Sequence, residues 1–241
     1  GGGDKMPQMR LDKLLSHLNC GSRKEVQALI RAGRVSVDGT VQKDPAFKVD
    51  PDRSQTAVDG TVQRYRAQRY YMLNKPMGVI TASRDERHDT VLELFPAELR
   101  RGLFAVGRLD KDTEGLLLIT DDGALSHALM SPNRHVEKEY EAVVDGVLAA
   151  DAVLRFEQGM TLREYKSAKL EILETEPELR VRVTLKEGKY HQVKRMIAAV
   201  GGTVTALKRL RLGGLWLDKI LAPGEFRELT QEELEKLTSQ T

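Results

Sequence analysis

The chain has 241 residues, a formal net charge of +2 from 38 Lys+Arg and 36 Asp+Glu, and one cysteine. That length suits one large domain or two with a sizeable core, and the lone Cys20 excludes both a disulfide framework within the chain and a cysteine-rich metal site. No apolar run approaches the roughly 18 residues that span a membrane, no export signal opens the chain, and the expected location is the cytoplasm.

The charge is unevenly spread. Residues 1–50 hold nine Lys/Arg against six Asp/Glu, residues 186–211 hold seven against one, and residues 224–241 hold two against five. Two basic stretches on a nearly neutral chain point to a polyanion touched at two places, with solvated helix faces as the plainer alternative.

Residues 1–8 lack periodicity and read as a tag or a disordered terminus, so the folded chain is expected to start at Met9. Leu11, Leu14, Leu15 and Leu18 fall at helical spacing, ended by Cys20-Gly21. Ser22 with Glu25 three residues on is a capping box for a second helix, lined by Val26, Leu29 and Ile30 and ended by Gly33. Residues 34–37 alternate like a strand, and Asp38-Gly39 is a hairpin turn before Thr40-Val41. Arg10, Lys13, Arg23, Lys24, Arg31 and Arg34 cluster at the helix ends and the turn. Residues 9–59 therefore form a helix-helix-hairpin unit. It resembles the S4 RNA-binding domain through Arg10-Leu-Asp-Lys13, Ser22-Arg23 and Ile30-Arg-Ala-Gly-Arg-Val-Ser-Val-Asp-Gly39. The resemblance implies that Arg10, Lys13, Arg23, Arg31 and Arg34 touch an RNA backbone, contacts that supply affinity and register but little sequence reading.

Residues 60–69 are polar and basic without clear period and read as a linker, with a second domain over 70–241. Residues 70–74 read as a strand, broken by Lys75-Pro76 and resumed at 79–81; 83–89 is a charged loop and 90–95 a short helix stopped by Pro96. The short apolar runs 102–106 and 116–120 read as buried strands. A helix at 123–130, capped by Asp121 or Asp122, is stopped by Pro132. Strands are expected at 137–144, 170–173, 179–185 and 204–212, with helices at 149–158, at 190–200 and, capped by Thr230, at the end of the chain; 215–217 and 224–229 are remaining pieces without an assigned type. Strands and helices without strict alternation predict an α+β fold with a mixed, mainly antiparallel sheet.

Between the runs at 102–106 and 116–120 lies a charged loop, in which Asp110, Asp112 and Glu114 sit beside Arg108 and Lys111. Loops held between core strands often carry catalytic groups. Asp110, Asp112, Glu114, Gly115 and Asp121 match positions 1, 3, 5, 6 and 12 of a calcium-binding EF-hand loop. Against calcium stand an Asp at position 12, the apolar Leu-Leu-Leu-Ile at positions 7 to 10, and strand-like flanks. A simply solvated loop is the plain alternative.

A third reading comes from resemblance. Gly107-Arg-Leu-Asp-Lys-Asp-Thr-Glu-Gly-Leu-Leu-Leu-Ile-Thr-Asp-Asp-Gly123 resembles the catalytic signature of the pseudouridine synthases related to ribosomal small subunit pseudouridine synthase A. Further matches are Leu73-Asn-Lys-Pro-Met-Gly78, Lys138-Glu-Tyr140, Glu187-Gly-Lys-Tyr-His-Gln-Val-Lys-Arg-Met196, Arg209-Leu-Arg-Leu-Gly-Gly214 and Leu221-Ala-Pro-Gly-Glu-Phe-Arg-Glu-Leu-Thr230. With the S4 unit, the resemblance runs from Met9 to the C-terminus.

The resemblance implies that Asp110 is the catalytic carboxylate and Tyr140 the aromatic that lies against a flipped-out base. Desolvation would raise the pKa of a buried carboxylate, so a cation is expected to hold Asp110 ionised. The resemblance implies Lys194 for that cation, at a position where many relatives carry Arg, with Arg195 as the competing candidate. Arg108 would hold the flipped-out nucleotide's phosphate or fill its vacated place, and Arg195, Arg209 and Arg211 would contact RNA. His191 and His127 read as packing or RNA-contact residues, since no ligand spacing joins them. Uridine isomerisation involves no net redox change or hydrolysis, so neither cofactor nor metal is expected. Whether the carboxylate attacks the sugar, attacks the base, or relays a proton through a glycal is left open. The expected function is isomerisation of one uridine of 16S ribosomal RNA, naked or in a small-subunit assembly intermediate, by a monomeric enzyme. A large-subunit target and a non-catalytic ribosome-assembly factor are the alternatives.

Overall fold

Leucines at helical spacing organise the first of the two units into which the computed structural model divides, residues 1–68 and 69–241. The structure describes residues 8–64, 68–82, 89–131, 133–134 and 136–239. The expected tag (apart from Gln8), linker residues 65–67, loop residues 83–88 and the helix stop at Pro132 lie outside the described residues.

In the first unit, β1 (Met9–Arg10) enters α1 (Leu11–His17), and α2 (Arg23–Arg31) follows. The strands β2 (Val35–Val37), β3 (Thr40–Val41), β4 (Lys48–Val49), β5 (Thr56–Val58) and β6 (Thr61–Val62) complete it. Strand β4 pairs with β1, and the others form an antiparallel sheet in the order β3-β2-β5-β6. Leu11, Leu14, Leu15, Val26 and Ile30 pack on Val35, Val37, Val49 and Val58. The Ser22 hydroxyl accepts from the Glu25 N–H, and the Glu25 carboxylate accepts from the Ser22 N–H, which completes the expected capping box.

The stretch read as a linker from residue 60 instead begins inside this unit. Thr61-Val62 pair with β5, and the Gln63 N–H donates to the Thr56 carbonyl. The cause is a repeat, for Val-Asp-Gly-Thr-Val-Gln occurs at 37–42 and again at 58–63. Both copies fold alike. Asp38-Gly39 and Asp59-Gly60 each hold two successive positive φ angles, the backbone of a tight hairpin turn. The two hairpins join through antiparallel β2 and β5.

The second unit runs β7 (Tyr70–Lys75), β8 (Phe104–Ala105), β9 (Glu114–Thr120), α3 (Gly123–Met130), β10 (Lys138–Gly146), α4 (Ala152–Glu157), β11 (Lys169–Glu174), β12 (Leu179–Leu185), α5 (Gln192–Ala199), β13 (Gly202–Leu212), β14 (Leu215–Trp216), β15 (Phe226–Glu228) and α6 (Gln231–Thr238). Nine strands form one sheet in the order β11-β12-β10-β13-β9-β7-β15, with β14 on β13 and β8 on β9. Among the named strands only β9 and β13 pair in parallel; the rest are antiparallel, so the mixed, mainly antiparallel sheet of an α+β fold is present.

Strand β9 shows why its sequence is continuously apolar. Leu116 and Leu118 enter a cluster with Leu125, Leu129 and Leu237, while Leu117 and Ile119 enter another with Tyr71, Leu73 and Phe95. Alternating side chains leave opposite faces, and both faces here are covered. Helices α4 and α5 cover the other half of the sheet, with Phe156, Met196 and Ile197 against Val181 and Val183.

Several expectations shift. Residues 79–81 form no strand; Ile80 makes a single bridge to Thr90. Residues Val91–Leu94 are a 3-10 turn, as short as the stop at Pro96 allows. Asp122 caps α3, whereas Asp121 accepts from the Arg69 backbone and side chain. Among the described residues no helix is long and apolar enough to cross a membrane.

Candidate active site

The loop from Gly107 to Thr113 is held from beneath. The Thr81 hydroxyl donates to the Leu109 carbonyl at 2.7 Å and accepts from the Leu109 N–H at 3.2 Å. The Gly78 N–H donates to the Lys111 carbonyl. Lys75, fully buried, donates from its ammonium to the carbonyls of Thr113 (2.7 Å), Pro76 (2.9 Å) and Lys111 (3.2 Å). Burial pushes the Lys75 pKa down to about 8, against the pull of the Asp112, Asp110 and Glu114 carboxylates. The Lys75-Pro76-Met77-Gly78 break in the sequence pattern is thus a clamp on the loop.

The far end of the loop is pinned by a close backbone approach. Gly115 has φ +111°, and a Cβ added there would stand 2.2 Å from the Arg209 carbonyl oxygen on β13. Only glycine admits this crossing, which is the parallel junction of the sheet.

The opposite wall is the start of α5. His191 precedes it at φ +49°, a left-handed conformation uncommon for a residue with a Cβ, and its ring stacks on Tyr190 with centroids 3.8 Å apart. His191, just before the helix, and Lys194, in its first turn, both reach the loop carboxylate. His191 Nε2 lies 3.4 Å, and Lys194 Nζ 3.6 Å, from Asp110 Oδ2. Lys194 also donates to Asp112 Oδ1 at 2.6 Å, a hydrogen bond that holds Asp112 below the usual carboxylate range. Lys194 therefore faces the loop carboxylates, while Arg195 beside it is exposed.

These groups line a cleft of about 410 Å³ whose walls include Arg108, Asp110, Tyr140, Tyr190, His191 and Lys194. Tyr140, half-buried on β10, is flanked in register by Val183 and Arg209. Asp110 departs from the expected burial: 37 % of its side chain is exposed, since it stands at a loop turn on the open side of the cleft. His191, expected in packing or RNA contact, and Asp112, expected only as one acid of the charged loop, both join the site.

One expected RNA contact, Arg209, is corrected. Arg209 is 1 % exposed and donates to the Leu116 carbonyl, drawn inside the sheet where β9 meets β13. Arg211 is held by Glu137 and the Gly213 carbonyl and lies over the Trp216 ring. In the first unit Arg10 and Arg23 are half-exposed and both donate to buried Asp12, Arg34 pairs with Asp59, and Lys13 and Arg31 are exposed. His127 lies on α3 and does not line the cleft. The calcium geometry fails because residues 114–120 form an extended strand about 20 Å long. Asp121 at its far end cannot curl back to Asp110.

Residues 69–199 match the RNA pseudouridylate synthase family and residues 9–53 match the S4 domain. The uncharacterized RNA pseudouridine synthase YtzG of Bacillus subtilis is 47% identical over 234 residues, 95% of this chain and 98% of that protein. Ribosomal small subunit pseudouridine synthase A of Escherichia coli is 44% identical over 228 residues, 94% of this chain and 98% of that one. A solved pseudouridylate synthase crystal structure superposes with a TM-score of 0.67 at 35% identity, covering 95% of this chain and 99% of its own. A family match across the cleft's loop and helix, with relatives aligned over almost their whole length, identifies the fold that carries this site: the chain belongs to the RNA pseudouridylate synthase family.

Proposed function

We propose that this protein isomerises a uridine of 16S ribosomal RNA to pseudouridine, with Asp110 as the catalytic carboxylate. The supporting observation is one cleft that holds Asp110, a cation 3.6 Å from its carboxylate in Lys194, and the aromatic ring of Tyr140. The RNA target follows the names of the relatives, ribosomal small subunit pseudouridine synthase A, at 44% identity.

The chemistry fits these side chains. The bond from the ribose C1′ to N1 breaks, the uracil turns, and C1′ joins C5; the C5 proton is lost and N1 gains one. Atoms and electrons balance without oxidant, reductant or hydrolytic water. Such a reaction needs a carboxylate that serves as nucleophile or base, held ready by a neighbouring cation. Asp110 fills that role and Lys194 steadies its charge. Tyr140 lies against the face of the extruded base, and Arg108, exposed at the rim, takes the phosphate or the place that the base vacates. Lys13 and Arg31 of the S4 unit supply backbone contacts to the same RNA.

The test is modification of 16S and 23S transcripts by the purified protein, followed by pseudouridine mapping. One new pseudouridine in 16S RNA, absent with Asp110→Asn, is the expected result. Product only in 23S RNA moves the target to the large subunit. Product from Asp110→Asn overturns the catalytic assignment, and no product in any RNA overturns the function.

A further inference from the structure

A second cavity of about 400 Å³ opens beside the active cleft, and the two share Gly188 and Lys189 as a common rim. Four lysines surround it, Lys138, Lys166, Lys186 and Lys189, over an apolar floor of Leu129, Met130 and Val136. Among the described residues one carboxylate lines it, Glu187, and this is already engaged. It accepts from the Lys166 backbone N–H at 2.8 Å and from the Gln192 side-chain amide at 3.0 Å. Lys189 donates to the Glu164 carbonyl and lies over the Tyr165 ring, which fixes its stem at the rim.

Lys138 is the most informative member. It stands on β10 two residues before Tyr140, where burial, with repulsion from Arg209, pushes its pKa down to about 8 against the pull of Glu187. Among the described residues no carboxylate lies within ion-pair distance of its ammonium. A desolvated cation without a paired carboxylate favours an anion brought from outside. The apolar floor favours a ligand with a flat, uncharged part as well. A phosphate joined to a ribose and a base has both, and the cavity is of the size that small ligands occupy.

We propose that this cavity is a second nucleotide subsite, which holds the RNA residue next to the target uridine with its phosphate on Lys138 and Lys186 and its base on the Leu129, Met130 and Val136 floor. The proposal rests on the RNA-modifying function above and adds to it a place where sequence around the target is read. The turn from Glu187 to Lys189 then separates two adjacent nucleotides, one extruded into the active cleft and one seated beside it.

The experiment pairs protein variants with substrate truncation. Binding of a target RNA oligonucleotide is measured against salt for the wild type, Lys186→Ala and Lys138→Met. Each is also measured on oligonucleotides shortened so that one flanking nucleotide, on either side of the uridine, is missing. Lys219→Ala, an exposed charge change away from the cavity, serves as the control. Lys186→Ala is expected to weaken binding of the full oligonucleotide about fivefold and lower the salt slope by roughly one, the effect of one lost phosphate contact. On one of the shortened RNAs it should change nothing. Lys186 is exposed, so this variant keeps its fold even if Lys138→Met does not. Equal losses on full and shortened RNAs, or a loss no greater than that of Lys219→Ala, overturns the subsite. In that case wild-type protein still forms pseudouridine, which separates this outcome from failure of the function itself.

Discussion

The Lys194 ammonium lies 3.6 Å from the carboxylate of Asp110, yet its shorter contact, 2.6 Å, is to Asp112. One cation on a rigid helix thus serves two carboxylates on one loop. Asp112 is the more exposed of the two, and its hydrogen bond to Lys194 ties the loop to α5. Asp110 is left facing the cleft with its charge balanced but its oxygens accessible.

This arrangement separates the two acids by experiment. Lys194→Ala removes the cation from both and is expected to slow single-turnover pseudouridine formation by 10² or more, the order of one lost electrostatic stabiliser. Asp112→Asn removes only the tether and should cost about tenfold or less. Rapid-quench rates with saturating enzyme distinguish them. Equal losses in the two variants would mean that Lys194 acts by ordering the loop and not through Asp110.

In the S4 unit the buried Asp12 carboxylate gathers Arg10, Arg23 and Gln27. Burial raises its pKa, but the hydrogen bonds from Arg10, Gln27 and Arg23 outweigh that and leave it well below the unfolded value of 3.8. A depressed folded pKa stabilises above the unfolded pKa, and that contribution is lost as pH falls through the folded one. The protection of the Leu15 and Ile30 amides, their exchange taken relative to the intrinsic rate at each pH, should therefore fall below about pH 4 in the wild type. Asp12→Asn, less stable by about 1–3 kcal/mol at pH 7, should show a flatter acid response. A wild-type profile unchanged between pH 5 and pH 3 would contradict this account.

Much of this was legible in the sequence because it depends on neighbours along the chain. The Ser22 capping box, the Asp38-Gly39 hairpin and the apolar run of β9 are local patterns, and each stands where its pattern puts it. The motif strings also brought Asp110, Tyr140 and Lys194 into one cleft. The second hairpin was missed although its six residues repeat the first, because the basic residues after it drew the whole stretch into a linker. Lys75, His191 and the burial of Arg209 were illegible for another reason. Lys75 works through carbonyls more than thirty residues away, and Arg209 is buried only because a parallel strand pair forms over Gly115. No local pattern carries that information.

Gly115 makes the same point as a measurement. A methyl group there meets the Arg209 carbonyl at 2.2 Å, on a backbone at φ +111°. Gly115→Ala is expected to cost at least about 3 kcal/mol through strain and displaced pairing, or a drop in Tm of roughly 6–12 °C. Gly123→Ala is the contrast, since a Cβ at that helical position meets nothing within 4 Å. It should leave Tm unchanged or raise it slightly. A Gly115→Ala protein as stable as Gly123→Ala would mean that β13 can move off the loop without cost.

The last prediction concerns Lys75, whose charge is both buried and used. Its folded pKa is about 8 against 10.5 for a free lysine. Between those values the unfolded chain holds the proton and the folded one does not, so stability rises with pH in that window. The burial cost is therefore fully present below pH 8 and is relieved toward pH 10.5. Lys75→Met lacks this titration and removes the buried donor from the Thr113 and Pro76 carbonyls, while the Lys111 carbonyl keeps the Gly78 N–H. Urea unfolding of the two proteins at pH 7, 9 and 10 isolates the effect, because every other titrating group is common to both. The wild type should be the more stable at pH 7 by about 1–3 kcal/mol, the cost of unsatisfied carbonyls. Its advantage should then widen by no more than about 3 kcal/mol as pH rises to 10. An advantage that narrows with rising pH would mean that the ammonium charge, and not the lysine's position beneath the loop, holds Thr113 and Lys111 in place.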